Sequence, residues 1–190
     1  MNAMANFFVR VDRYLAKQAA LSSRFSKISR AVSIAQLTAI SVLVGMELIT
    51  KQVLESKLAV WEGATSIFPG FRLTLNHNRG VSFGMLDNGH WLMPYLLAIV
   101  ALILVVAVLI WTAQQKSKCI NVAGILVAAG GLANAIDRLG DGAVTDYLDF
   151  GWQALRWPTF NLADVLIFIG VALLLIAWRK GSQNLEGGEQ

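Results

Sequence analysis

The chain has 190 residues, 56% of them hydrophobic and 15% charged, with a formal net charge of +4. Soluble domains usually carry about 25% charged residues, so this composition excludes an ordinary soluble globular protein and points to a chain packed between lipid and itself. The single cysteine, Cys119, excludes an internal disulfide; the two histidines, His77 and His90, stand apart from it and from each other, which argues against a metal site; and the basic balance records membrane topology rather than nucleic-acid binding.

Residues 1–30 form a basic tail. Phe7, Phe8, Val11, Tyr14 and Leu15 recur at helical spacing with Arg10, Arg13 and Lys17 between them. Two readings stand open: an interfacial helix on anionic lipid, or a solvated cytoplasmic segment. The tail lacks the short apolar core and small-residue cleavage site of a removable leader. A first apolar span covers about 31–53, interrupted only near its end by Glu47 and Lys51, which face each other at i, i+4 as an ion pair.

The outer loop 54–90 is patterned. In "FRLTLNHN", Phe71, Leu73 and Leu75 alternate with Arg72, Thr74 and Asn76, which is a strand signature. "NRGVSFG" follows, with Gly80 where a turn or a close backbone approach is needed. A small outward-facing sheet is expected here.

The clearest span is 91–111, "WLMPYLLAIVALILVVAVLIW", 21 residues without a charge. At 1.5 Å per residue it reaches about 31 Å, the thickness of a bilayer core. A Trp stands at each end, as in an interfacial aromatic belt, and Pro94 falls in the first turn, where a missing N–H costs little. A third span, about 119–136, is rich in small residues that suit close helix packing. Asn134 and Asp137 share a face at its end, and buried polar groups there want partners, so a structural network including Arg138 is the first reading. A second outer loop, 137–161, leads to a fourth span, 162–178, in which Asn161 is a good N-cap and Asp164 is the third helical residue, near the positive end of the dipole. Residues 181–190 form a C-terminal tail.

Ten of the sixteen Lys and Arg lie before the first span, between the second and third, or just after the fourth. The positive-inside rule then puts both termini in the cytoplasm and both patterned loops outside. The fold class expected is an all-α polytopic membrane protein of four spans, with a small outer β-sheet region.

Five aspartates, Asp137, Asp141, Asp146, Asp149 and Asp164, collect between the third and fourth apolar runs. Asp146 and Asp164 are brought to one side of the membrane by a connection that leaves one helix end and enters the next. Two carboxylates held together there resist both ionising, so one keeps a proton and the other becomes a base, as in aspartic proteases. The plain alternatives are a dipole-stabilising Asp164 and a solvated Asp146. Asp141 and Asp149 read as solvent-facing. Other nucleophile schemes lack their parts: no serine sits in a Gly-x-Ser-x-Gly elbow, Ser82 has no Lys or His at a suggestive spacing, and glycine-rich phosphate loops are missing. A proton-coupled transporter would place its acids near mid-bilayer, often in repeated halves, and neither feature is present.

Three segments in order carry a resemblance: Asn78-Arg79-Gly80-Val81-Ser82-Phe83; Asn134-Ala135-Ile136-Asp137-Arg138 with Val144-Thr145-Asp146; and Phe160-Asn161-Leu162-Ala163-Asp164. They resemble the Asn-x-Gly-x-x-Phe, Asn-x-x-Asp-Arg with Val-x-Asp, and Phe-Asn-x-Ala-Asp segments of the bacterial lipoprotein signal peptidases (signal peptidase II). The resemblance spans roughly residues 34–180, and with it 31–180 reads as a four-span peptidase domain. It implies an inner-membrane aspartic endopeptidase, without a cofactor, that cleaves prolipoproteins bearing a diacylglyceryl-modified lipobox cysteine and is blocked by globomycin-type cyclic peptides. It implies Asp146 and Asp164 as the catalytic pair, and Asn78, Gly80, Asn134, Asp137, Arg138, Asn161, Glu47 and Lys51 as substrate-binding or site-shaping residues. A monomer in contact with membrane lipid is expected. The chain departs from the family pattern in three places. Glu47 stands in an Asp-x-x-x-Lys segment, Ala133 stands where glycine is common, and the basic tail is long.

Overall fold

The computed structural model describes residues 13–18, 32–60, 64–80, 91–152 and 155–186. Of the basic tail, residues 13–18 are helical and exposed; Phe7, Phe8 and Val11 lie outside the described residues. Among the described residues, four helices are long and apolar enough to cross a membrane. They are α1 (Ile34–Val60), α2 (Met93–Ala113), α3 (Lys118–Asp141) and α4 (Leu162–Glu186).

Each of α1, α3 and α4 outruns its apolar segment. α1 continues past residue 53 into the stretch expected to be loop, and α3 carries Asp137 and Arg138 within the helix rather than in the loop 137–161. Hydropathy marks where a helix leaves lipid, but the backbone ladder ends only where a residue breaks it. For α3 that residue is Gly142, left-handed at φ 69°, whose N–H bonds the Arg138 carbonyl at 3.0 Å. Pro94 sits in the first turn of α2, as its missing N–H requires.

Small residues let α3 pack closely. A Cβ at Gly130 would stand 2.3 Å from the Ala163 carbonyl oxygen, and one at Gly170 2.8 Å from that of Ala123. α3 and α4 thus meet almost backbone to backbone, the arrangement that lipid-embedded helices use when no hydrophobic effect drives them together. Ile40, Val44, Val105, Ala128, Ala129, Ala133 and Ala163 form the buried apolar cluster among α1–α4.

The segments between α1 and α2 and between α3 and α4 form a four-stranded antiparallel sheet in the order β1 (Thr65–Phe68), β2 (Phe71–Asn78), β3 (Val144–Trp152) and β4 (Leu155–Arg156). β2 is the alternating strand expected from sequence. β3 occupies the stretch read as an acidic loop. Its first four residues are all buried, so the polar/apolar alternation that betrays a half-buried strand is missing. β2 and β3 pair Phe71 with Phe150, Asn76 with Asp146, and Asn78 with Val144. Phe68, Phe71, Phe150 and Phe160 stack in a chain with ring centroids 4.5–5.7 Å apart. This sheet links the α1–α2 connection to the α3–α4 connection and sets Asn78 beside Asp146.

Candidate functional site

Asp146 comes from the start of β3 and Asp164 from the first turn of α4. The residue between them is Asn161, fully buried at the α4 N-cap. Its side-chain oxygen accepts the Asp164 amide at 3.0 Å, while its backbone N–H reaches back to Asp164 Oδ2 at 3.3 Å. This is a capping box in which the reciprocal acid is Asp164 itself. The Asn161 side-chain amide is left to donate to Asp146 Oδ1 at 2.7 Å. One asparagine therefore touches both carboxylates.

Other donors converge on the pair. Asn78 Nδ2 donates to Asp146 Oδ2 at 3.2 Å, and Asn78 Oδ1 accepts the Gly80 amide at 3.0 Å, which fixes the rotamer. Asn134 Nδ2 donates to Asp164 Oδ1 at 2.9 Å. Arg138 Nη2 donates to the Gly80 carbonyl, and its guanidinium lies within electrostatic reach of Asp146, Asp164 and Asp137. Val81, Ser82 and Phe83 of the first motif lie outside the described residues.

Lys51 is the hub behind this layer. Its buried ammonium donates to Asn134 Oδ1 at 2.8 Å and Asp137 Oδ2 at 2.9 Å. Asp137 Oδ2 also accepts the Thr145 amide at 2.7 Å, tying α3 to β3 one residue before Asp146. The expected network at the end of the third span therefore exists, with a different partner: Asp137 pairs with Lys51 and Thr145 rather than Arg138. The expected Glu47–Lys51 ion pair is long, at 4.0 Å. Glu47 Oε2 instead accepts the Tyr147 hydroxyl at 3.0 Å.

Burial and the negative charge of Asp164 raise the Asp146 carboxyl to about 6, against the pull of the Asn78 and Asn161 hydrogen bonds. Asp146 is 2% exposed, so little water shields it. Burial, then the charge of Glu47, also push the Tyr147 phenol above its ordinary value, which keeps it a donor.

One sequence reading needs correction. Asp149 does not face solvent. It is 3% exposed and held between Arg72 and Arg156. Burial alone would raise its carboxyl, but the hydrogen bonds and charges of the two arginines outweigh this and hold it below the usual carboxylate range. This clamp joins β2, β3 and β4 beneath the site. Sequence reasoning missed Tyr147, Thr145, Arg72 and Arg156. The available signal was positional: Thr145 and Tyr147 flank Asp146 in β3. Asp141 is exposed, as expected. A cavity of about 330 Å³ between the C-terminal parts of α1 and α3 reaches Lys51 and Asp137 but is lined by neither Asp146 nor Asp164.

The family model described as signal peptidase (SPase) II matches residues 39–179. The lipoprotein signal peptidase of Symbiobacterium thermophilum is 37% identical over 148 residues, covering 74% of this chain and 94% of that protein. That of Alteromonas mediterranea is 38% identical over 123 residues, covering 63% and 68%. A bacterial membrane enzyme solved by the in meso method at 2.3 Å resolution aligns with TM-score 0.66 and 28% identity, over 79% of this chain and 90% of that one. A second, solved at 1.9 Å, aligns with TM-score 0.61 and 25% identity, over 76% and 92%. Together with the four apolar helices, these matches make the chain a multi-pass membrane protein. It belongs to the signal peptidase II family, aspartic-type peptidases that remove signal peptides from prolipoproteins.

Proposed function

We propose that Asp146 and Asp164 are the catalytic dyad of this peptidase, cleaving at the lipobox cysteine of diacylglyceryl-modified prolipoproteins. The observation that carries this is Asn161, which bonds one oxygen of each carboxylate. The pair titrates as a unit and holds one proton between its two members. Asp146, raised to about 6, is the proton carrier. Asp164 lies in the first turn of α4 and accepts a hydrogen bond on each oxygen, which orients it for the role of base. In the cleavage step Asp164 takes a proton from water as the water oxygen attacks the scissile carbonyl carbon. Asp146 gives its proton to the carbonyl oxygen, forming a gem-diol. The gem-diol collapses with loss of the C–N bond: one hydroxyl returns its proton to Asp146 as the new carboxyl forms, and the proton held on Asp164 passes to the leaving amine.

Asn78, Gly80 and Arg138 are linked to one another beside Asp146, and Asn134, Asp137 and Lys51 support Asp164 from α3 and α1. Both termini are cytoplasmic, so residues 1–30 and 181–190 are inner tails, and the dyad stands near the outer leaflet of the bacterial inner membrane. One chain supplies both acids, which supports a monomer. Globomycin-type cyclic peptides are the expected inhibitors.

A site at the membrane edge receives its substrate by lateral diffusion, with the acyl chains already in lipid. Their burial, worth about 0.8 kcal/mol per CH₂ from water, then largely cancels, and the lipid acts by positioning the scissile bond. The test is turnover in liposomes of one lipobox peptide with and without its diacylglyceryl group. The lipidated peptide is cleaved at the cysteine with the higher kcat. Equal kcat for the two would contradict recognition of the lipid.

A further inference from the structure

We infer that Tyr147 and Glu47 are positioning residues that act as a coupled pair to set Asp164 against Asp146, an inference that rests on the dyad reading above. The argument lies in the first amides of α4. Helix N-termini leave four N–H groups without an intrahelical partner. Here the Asp164 amide bonds Asn161 Oδ1 at 3.0 Å and the Val165 amide bonds the Asn161 carbonyl at 3.3 Å. Both partners belong to the helix's own cap and travel with it. The Leu162 amide instead bonds the Tyr147 hydroxyl on β3 at 3.2 Å. This bond ties a backbone amide of the first turn to β3, alongside the side-chain bonds of Asn161 to Asp146 and of Asn134 to Asp164.

Tyr147 is the residue after Asp146, is 1% exposed, and its backbone N–H bonds the Phe160 carbonyl at 3.0 Å. The strand that carries one acid thus holds the turn that carries the other. Glu47 completes the link. Its Oε2 accepts the Tyr147 hydroxyl at 3.0 Å, whereas its Oε1 is buried without a hydrogen bond, 4.0 Å from a Lys51 ammonium committed to Asn134 and Asp137. The Glu47 carboxylate is therefore held by a hydrogen bond from Tyr147, with the Lys51 charge at longer range. Reach matters at this position: a side chain shorter by one C–C bond, about 1.5 Å, falls short of the hydroxyl. Neither residue bonds Asp146 or Asp164, so their effect on the reaction is geometric, and small misplacements of a reacting group cost large factors in rate.

The test uses the full-length enzyme in detergent with a diacylglyceryl-modified lipobox peptide, measuring kcat, KM and Tm. Tyr147→Phe lowers kcat about tenfold or more, with KM within about twofold and Tm within a few degrees. Glu47→Gln keeps the reach and the acceptor without the charge; Glu47→Asp keeps the charge without the reach. The inference expects Glu47→Gln to retain the higher kcat, and expects Glu47→Asp to cost nothing further in the Tyr147→Phe background. A Tyr147→Phe kcat within twofold of wild type, a loss of kcat that simply follows Tm, additive effects in the double variant, or Glu47→Asp outperforming Glu47→Gln would each overturn it. Should Tyr147→Phe fail to fold, the order of the two Glu47 variants still decides. Asp146→Asn and Asp164→Asn run alongside: activity in those variants removes the dyad reading, whereas their inactivity with a reversed Glu47 order removes only this inference.

Discussion

Among the described residues, Asp146 makes no ion pair with a cation. Its partners are two neutral amides, so its charge is held by dipoles while Asp164 pushes against it. This has a consequence for stability. The folded-state value of about 6 lies above the ordinary 3.8, so between those values the folded protein keeps a proton that the unfolded chain has released. The stabilisation is complete below about pH 4 and is lost as pH rises through about 6, on the order of 3 kcal/mol in all. Wild type should therefore lose more thermal stability than Asp146→Asn when pH is raised from 4 to 7. Equal losses would mean that Asp146 titrates as an ordinary carboxyl. Lys51 and Asp137 differ from Asp146 in being paired with opposite charge, and their work is to hold Asn134 and Thr145 in place. The motifs named nearly every residue of this layer, because Asn, Asp and Arg at a membrane edge are conspicuous among apolar neighbours. They did not name Tyr147, since its contact with Glu47 spans 100 positions of sequence, nor the Arg72–Asp149–Arg156 clamp, whose members look like ordinary surface charges until the strands pair.

At the scale of elements, the four spans were legible because twenty or so apolar residues have no other stable use. The ends at which α1 and α3 outrun their apolar runs were not, and neither was β3, because a strand buried on both faces carries no period of two. The close contact of α3 with α4 was visible only as a run of small residues. It now has a specific role: Gly130 faces the Ala163 carbonyl, one residue before Asp164, so the helix contact and the site are the same contact. Gly130→Ala puts a methyl 2.3 Å from that oxygen and must displace the first turn of α4. It should cost about 1–3 kcal/mol in stability and lower cleavage as well. Gly45→Ala, with nothing within 4 Å of the new methyl, should be neutral or slightly stabilising. The comparison is made by Tm and kcat of both variants; similar behaviour of the two would show that the close approach is not required.

For the whole molecule, the helices meet through small residues, and the polar groups of the site sit toward the ends of α1, α3 and α4 that face the sheet. The proposed orientation can be tested directly. A reporter active only outside the cytoplasm should be silent when fused at Gln190 and active when inserted at Asn88; the reverse would place the dyad in the wrong compartment. The central claim is that two carboxylates bridged by Asn161 carry out the hydrolysis. The most direct measurement is kcat for cleavage of a diacylglyceryl-modified lipobox peptide by Asp146→Asn and by Asp164→Asn, each shown to be folded in detergent by its melting transition. Each substitution keeps the side chain's size and removes its titrating group, so each should lower kcat by about 10³-fold or more. A folded variant of either kind that kept a tenth or more of wild-type activity would contradict the account.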